Sequence, residues 1–97
     1  MRVITYRRLA EFALKYPDCK GQLEMINRNL KQTLFENLNQ VKDFFPFISI
    51  LKDNRVTLNV HGNKYRLILK FNFNAGIVYV RFIGTHEEYD QIDANHI

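Results

Sequence analysis

Cysteine occurs once in the 97 residues, at Cys19. A lone thiol forms no intrachain disulfide and no cysteine-based metal site, which points to a reducing compartment. Tryptophan is absent, proline occurs twice and glycine four times, too few for a low-complexity tract or a flexible linker. No apolar run reaches the roughly eighteen residues a membrane-spanning helix needs. The opening "MRVITYRRLAEF" lacks the apolar stretch of a secretory signal. A cytoplasmic protein of one domain, residues 1–97, is expected. Acid is also scarce where it would matter. From Lys52 to Arg81 there are six bases (Lys52, Arg55, Lys64, Arg66, Lys70, Arg81) and one acid, Asp53, whereas four acids and no Lys or Arg follow Arg81. The net charge of +4 is therefore concentrated, and a local basic stripe is the usual footprint of a phosphate-bearing partner.

Hydrophobic periodicity divides the chain. After a short β-like "RVIT", Leu9, Phe12, Ala13 and Tyr16 fall at i, i+3, i+4 and i+7, one apolar helical face that Pro17 ends. Asp18 is placed to cap a second helix with the stripe Leu23, Ile26, Leu30, extending to Leu34. "NLNQVKDFF" reads as a third, short helix stopped by Pro46. Beyond it "RVTLNV", "KYRLILKFNF" and "GIVYVRFIG" alternate with period two, the mark of half-buried strands. Helices followed by an antiparallel meander give an α+β fold.

Gly62-Asn63 between alternating runs is a two-residue hairpin signal. It sets Asn59 opposite Arg66, Thr57 opposite Ile68, Arg55 opposite Lys70, and His61 opposite Lys64. One face then carries Arg55, Asn59, His61, Lys64, Arg66 and Lys70, with Ile68 as its one apolar exception. The other carries Val56, Leu58, Val60, Tyr65, Leu67, Leu69, Phe71 and Phe73 and must pack under the helices. If Ala75-Gly76 form the next turn, Arg81 lies opposite Lys70 with Tyr79 beside it, and Val78, Val80 and Phe82 point inward. The other parity would bury an unpaired guanidinium, which is costly. A polar face is what any half-buried sheet shows to water. This one is distinctive because it lacks acids in line with its bases.

Where the last strand runs out, "GTHEEYD" begins. Thr85 followed by Glu88 is a capping box and starts a helical turn. On that turn His86, Tyr89 and Asp90 share a face at i, i+3 and i+4, while Glu87 and Glu88 read as its solvated side. Bases that bind phosphate beside groups that move protons suggest phosphodiester chemistry. No metal or other cofactor is expected, because His61 and His86 lack metal-ligand spacing and no Gly-rich phosphate loop occurs. Three classes follow from the residues: a ribonuclease, a non-catalytic RNA-binding module, or a protein-interaction domain whose basic face docks an acidic partner.

"NVHGNKYRLIL" followed by "YVRFIGTHEEYD" resembles the HigB family of toxins from bacterial toxin–antitoxin pairs, within the larger RelE-like group. The resemblance extends over nearly the whole chain. The family's "GNxYR" falls on Gly62, Asn63, Tyr65 and Arg66, and its "R…THxEYD" on Arg81, Thr85, His86, Glu88, Tyr89 and Asp90. Leu58 stands where relatives often have phenylalanine. Tryptophan, common in the family's second helical region, is missing, and Phe35 is taken to fill its place. The resemblance implies a RelE-like fold, a small antiparallel sheet against N-terminal helices with a short C-terminal helical turn. It also implies a ribosome-dependent mRNA interferase, acting on mRNA in the ribosomal A site and silenced by a HigA-type antitoxin. Metal-free RNA cleavage uses the 2′-OH as nucleophile and leaves a cyclic phosphate and a 5′-OH. In that chemistry Arg66 and Arg81 are assigned to charge on the phosphorane, and His86 to proton transfer. Tyr89 stacks on or hydrogen-bonds the substrate, and Asp90 orients His86 or an arginine. Which group is base and which is acid stays open. Arg55, Asn59, His61, Asn63, Lys64 and Lys70 are assigned to RNA binding.

Overall fold

Period-two alternation in the second half of the chain becomes the centre of a five-stranded sheet. The computed structural model describes residues 1–97. Its elements are β1 (Arg2–Ile4), α1 (Tyr6–Lys15), a 3-10 turn (Pro17–Cys19), α2 (Lys20–Gln32), α3 (Leu38–Phe44), β2 (Ile48–Ile50), β3 (Arg55–Val60), β4 (Tyr65–Asn72), β5 (Ile77–Thr85) and α4 (His86–Asp90). The sheet order is β1-β5-β4-β3-β2. The helices pack on one face through Leu9, Leu23, Ile26, Leu30 and Val41, which meet Val56, Leu58, Val60, Leu67, Leu69 and Val78 in a single buried cluster. Phe35 joins them, with Phe44, Phe45 and Phe71 around its ring. No helix is long and apolar enough to cross a membrane.

The fold is α+β as expected, but the sheet is mixed. β1 runs parallel to β5, from Arg2↔Ile77 to Ile4↔Tyr79. Three residues carry no directional signal of their own. Beside this strand the Met1 nitrogen lies 2.8 Å from the Leu30 carbonyl oxygen and 2.9 Å from that of Thr33. Unpaired carbonyls at the end of α2 are natural acceptors for such a donor.

The buried stripe of α2 stops short of Leu34, which lies beyond the helix end and is exposed, and Asp18 does not cap α2. Cys19 stands at that position and makes no side-chain capping bond. The Asp18 carboxylate instead accepts hydrogen bonds from Lys64 Nζ at 2.9 Å and from the Tyr65 hydroxyl at 2.9 Å, tying the 3-10 turn to the start of β4. The charge-assisted bond from Lys64 is stronger than a neutral capping bond. It holds the Asp18 carboxyl below its ordinary value of 3.8 and Lys64 above 10.5. Burial, then Asp18, pushes the Tyr65 phenol above 10.0.

A depressed carboxylate contributes stability that is present above its unfolded value and is lost as pH falls through its folded value. Acid unfolding should therefore weaken in pH dependence once Asp18→Asn is introduced. At the alkaline end, Lys64 loses its contribution as pH rises through its raised value. Tyr65 works in the same direction, because the unfolded chain ionises first. Melting temperature followed from neutrality to below pH 3.8, the ordinary value, tests the acid arm. An Asp18→Asn variant with the parent's acid profile would remove Asp18 from that account.

Candidate active site on the sheet face

The β3–β4 hairpin has the register its sequence dictates: Arg55↔Lys70, Thr57↔Ile68, Asn59↔Arg66. Its pairing ends at Val60↔Tyr65, so the loop has four residues instead of two. His61 and Gly62 take positive φ of 52° and 65°, and Lys64 N closes the turn on the His61 carbonyl. His61 thereby leaves the strand and turns toward Asp18, with Nε2 3.7 Å from its carboxylate. Lys64 is drawn to the same acid. Neither base therefore faces the site as the alternation alone would place them, and the bases do have an acid among them.

β5 departs from simple alternation at one point. Lys70 faces Tyr79, Leu69 faces Val80 and Ile68 faces Phe82, which leaves Arg81 as the extra residue of a β-bulge. The preceding loop spans four residues, 73–76, because pairing closes at Asn72↔Ile77. Arg81 thus stays out of the core, as the cost of an unpaired buried guanidinium demands, but it does not oppose Lys70. The bulge also reverses the parity that follows. Ile83 packs against the core and Phe82, expected inside, joins the outer face. A parity conflict is visible in the sequence, since Val80 and Ile83 are both core-type residues three apart.

The capping box forms as read: Thr85 Oγ1 accepts from the Glu88 amide at 3.2 Å, and Glu88 accepts from the Thr85 amide at 2.9 Å. That backbone bond holds the Glu88 carboxyl below the usual range. α4 is thereby aimed back across β5 and β4, on which it packs. Tyr89 reaches Thr57 on β3, hydroxyl to hydroxyl at 3.3 Å, and Phe82 on β5, ring to ring at 6.3 Å. These two are the register partners of Ile68, so Tyr89 spans the strand between them. This accounts for the apolar exception: Ile68 has no exposed surface although it lies on the polar side. Gly84 follows from the same packing, because a Cβ there would come within 2.6 Å of the Phe82 ring.

Arg66 stands beside this helix. Its Nη1 donates to Asn59 Oδ1, and its guanidinium lies 5.8 Å from the Tyr89 ring centre, a cation–π distance. Asn59 also donates to Asn63 across the turn at 3.2 Å. One helical turn earlier, His86 Nδ1 lies 3.0 Å from Asp90 Oδ2, and both side chains are about half exposed, 49% and 59%. A carboxylate on Nδ1 orients the ring and leaves Nε2 for a substrate. Arg66, Tyr89, His86, Asp90, Asn59 and Asn63 are thus gathered at one end of the sheet face.

The other assigned residues lie elsewhere. Lys70 sits at the far end, facing Arg55 and Tyr79. Arg55 is on the expected face but only 6% exposed, covered by the C-terminal segment. An Ile97 oxygen accepts from Arg55 Nε at 2.9 Å and Arg81 Nε at 3.3 Å. Arg8 Nη1 donates to the Arg81 carbonyl at 2.7 Å and fixes the bulge from α1. Thr57, Phe82 and the tail are the parts of this face that sequence reading missed. Only Phe82 left a signal. No group of three or more His, Cys, Asp or Glu side chains is gathered closely enough to hold a metal ion.

Comparison with known proteins bears on the same residues. Residues 19–92 match the model of the HigB toxin family, described as the RelE-like toxic component of a toxin–antitoxin system. The chain is 32% identical over 98 residues to the mRNA interferase toxin HigB of Escherichia coli strain K12, covering 99% of this chain and 94% of that protein. The mRNA interferase HigB of Shigella flexneri matches to the same extent. That of Escherichia coli O6:H1 is 31% identical over 94 residues, 95% of this chain and 91% of that protein. With its hairpin, bulged strand and capped α4 inside the matched span, this chain belongs to the HigB toxin family of RelE-like toxins.

Proposed function

We propose that this protein is a ribosome-dependent mRNA interferase, cleaving RNA through attack of the 2′-OH on the adjacent phosphate without a metal. The observation that carries this reading is one cluster: Arg66 held by Asn59 beside Tyr89, with the His86–Asp90 pair on the same short helix. The reaction needs a cation on the phosphorane, a proton acceptor for the 2′-OH and a proton donor for the departing 5′-oxygen. Arg66 supplies the charge, with four of its five N–H donors left after the bond to Asn59. His86, oriented by Asp90, exchanges a proton with substrate. Tyr89 offers a ring for a base and a hydroxyl already paired with Thr57.

The openness of the site supports dependence on the ribosome. Side chains about half exposed on a sheet face do not enclose a flexible RNA, and in-line geometry then has to come from whatever holds the mRNA. The ribosomal A site is that holder in our reading, which also puts the protein in the cytoplasm. A HigA-type antitoxin is the partner that silences it, in keeping with the toxin–antitoxin family.

Induction in bacteria followed by transcriptome-wide mapping of 5′-OH ends tests the proposal. The expected result is growth arrest with new 5′-OH ends inside translated codons, and none when initiation is blocked. Arrest without new ends would replace it with a module that binds RNA and jams translation.

A further inference from the structure

α4 has five residues and none of them is buried. A single helical turn does not hold itself in place, so the position of His86 depends on what grips the ends of that turn. Tyr89 anchors the far end on Thr57 and Phe82. At the near end the capping box only ties Thr85 to Glu88 within the turn. The His86 amide, the first inside the helix, donates to the Lys64 carbonyl at 3.1 Å. This bond lies one step beyond the last pair of the ladder, Tyr65↔Thr85, and sets the angle at which α4 leaves β5. The charged partner of the His86 ring is Asp90, on the same turn. Where the turn goes, the ring goes.

That carbonyl belongs to the peptide joining Lys64 to Tyr65, and both of those side chains end on Asp18. Lys64 Nζ and the Tyr65 hydroxyl each donate to its carboxylate at 2.9 Å. The Tyr65 ring is buried between Phe12 and Tyr16, with ring centres 5.2 and 5.1 Å away, so its hydroxyl has no other place to swing. Gln22, one helical turn beyond Asp18, accepts from the His61 amide at 2.7 Å and holds the start of the same hairpin turn. The turn needs holding, because His61 sits at a φ of 52°, uncommon for any residue but glycine. A planar peptide whose two flanking side chains are both anchored has little freedom left. From Asp18 to His86 the path is therefore one side chain, one peptide and one hydrogen bond.

We propose that Asp18, in the helical layer, is a positioning residue for proton transfer by His86. By clamping Lys64 and Tyr65 it fixes the carbonyl from which α4 hangs, and with it the place of the His86 ring relative to Arg66. The inference rests on the interferase reading for the reaction served. Asp18 itself touches no substrate, and Lys64 serves the site through its main chain.

Asp18→Asn keeps an oxygen for the Tyr65 hydroxyl and loses the charge that holds Lys64. Amide hydrogen exchange, read by NMR well below the melting temperature of the variant, should be faster at His86 than in the parent. The Glu88 amide should stay protected by the Thr85 cap. On programmed ribosomes the single-turnover rate at saturation should fall about tenfold, inside the ~10²-fold loss that a misplacement of about 1 Å can bring. The half-saturating protein concentration should hardly move. In the His86→Gln background the same substitution should cost nothing further, because no ring is left to place. Four results would each leave Asp18 a stabilising contact and overturn the proposal: unchanged exchange at His86, a parent-like rate, a change in half-saturating concentration alone, or an equal loss with and without the His86 ring. The two readings fail separately. Faster His86 exchange in Asp18→Asn with no cleavage by the parent protein would sink the interferase alone. Codon-internal 5′-OH ends from a protein whose His86 exchange ignores Asp18 would sink the positioning role alone.

Discussion

Arg66→Ala should reduce mRNA cleavage by ~10²–10³-fold, the range seen when one donor to a developing oxyanion is removed, with little change in melting temperature. Arg66 lies on the open side of the sheet. Asn59 and the Tyr89 ring fix its guanidinium in place, and most of its donors remain free for a phosphate. The loss should appear in cleavage more than in binding, because the charge Arg66 meets grows in the transition state. Arg66→Lys should recover little. An ammonium keeps the charge but loses the planar fork and the stacking on Tyr89. Arg81→Ala should have the smaller effect, since Arg81 is engaged by Ile97. The readout is the yield of 5′-OH ends at codons cut by the parent. Parent-like yields from Arg66→Ala would move the phosphorane charge to Arg81 or to the ribosome.

His86→Gln is expected to lower the single-turnover rate on programmed ribosomes by ~10²–10⁴-fold, the contribution of a positioned proton-transfer group. Glutamine keeps the approximate volume and a hydrogen-bonding amide, so α4 and its Thr85 cap should survive. Asp90→Asn should give a smaller loss. It disturbs only the orientation of the ring, through the 3.0 Å contact to Nδ1, and leaves the ring itself able to exchange protons. Near-parent single-turnover rates from His86→Gln would sink this assignment and hand the proton transfer to groups outside the protein.

The residues that carry these predictions were legible in different degrees. Arg66 beside Asn59 followed from the hairpin register, and His86 with Asp90 followed from helical spacing after a capping box. The meeting of Arg66 with Tyr89 did not follow from either. It required α4 to fold back over the sheet, and Ile68 left uncovered on the polar side was the only trace of that in the sequence. Asp18 illustrates the opposite case. Its position before a helix suggested a local capping role, but a lysine 46 positions along the chain offered a stronger, charge-assisted bond.

By itself, the sequence determined whatever is local and periodic. Alternation with period two set which side of β3 and β4 faces the helices, and the hairpin set their register, because a shift by one residue would turn every side chain over. Thr85 and Glu88 set the start of α4 because a capping box satisfies its donors within four residues. Tertiary structure decided the direction of β1, the bulge that left Arg81 unpaired in the ladder, the turning of His61 and Lys64 toward Asp18, and the burial of Arg55 beneath the tail. Each joins groups far apart along the chain, where the outcome depends on which polar groups remain unsatisfied once the core has packed. A pattern read along the chain carries no account of that competition.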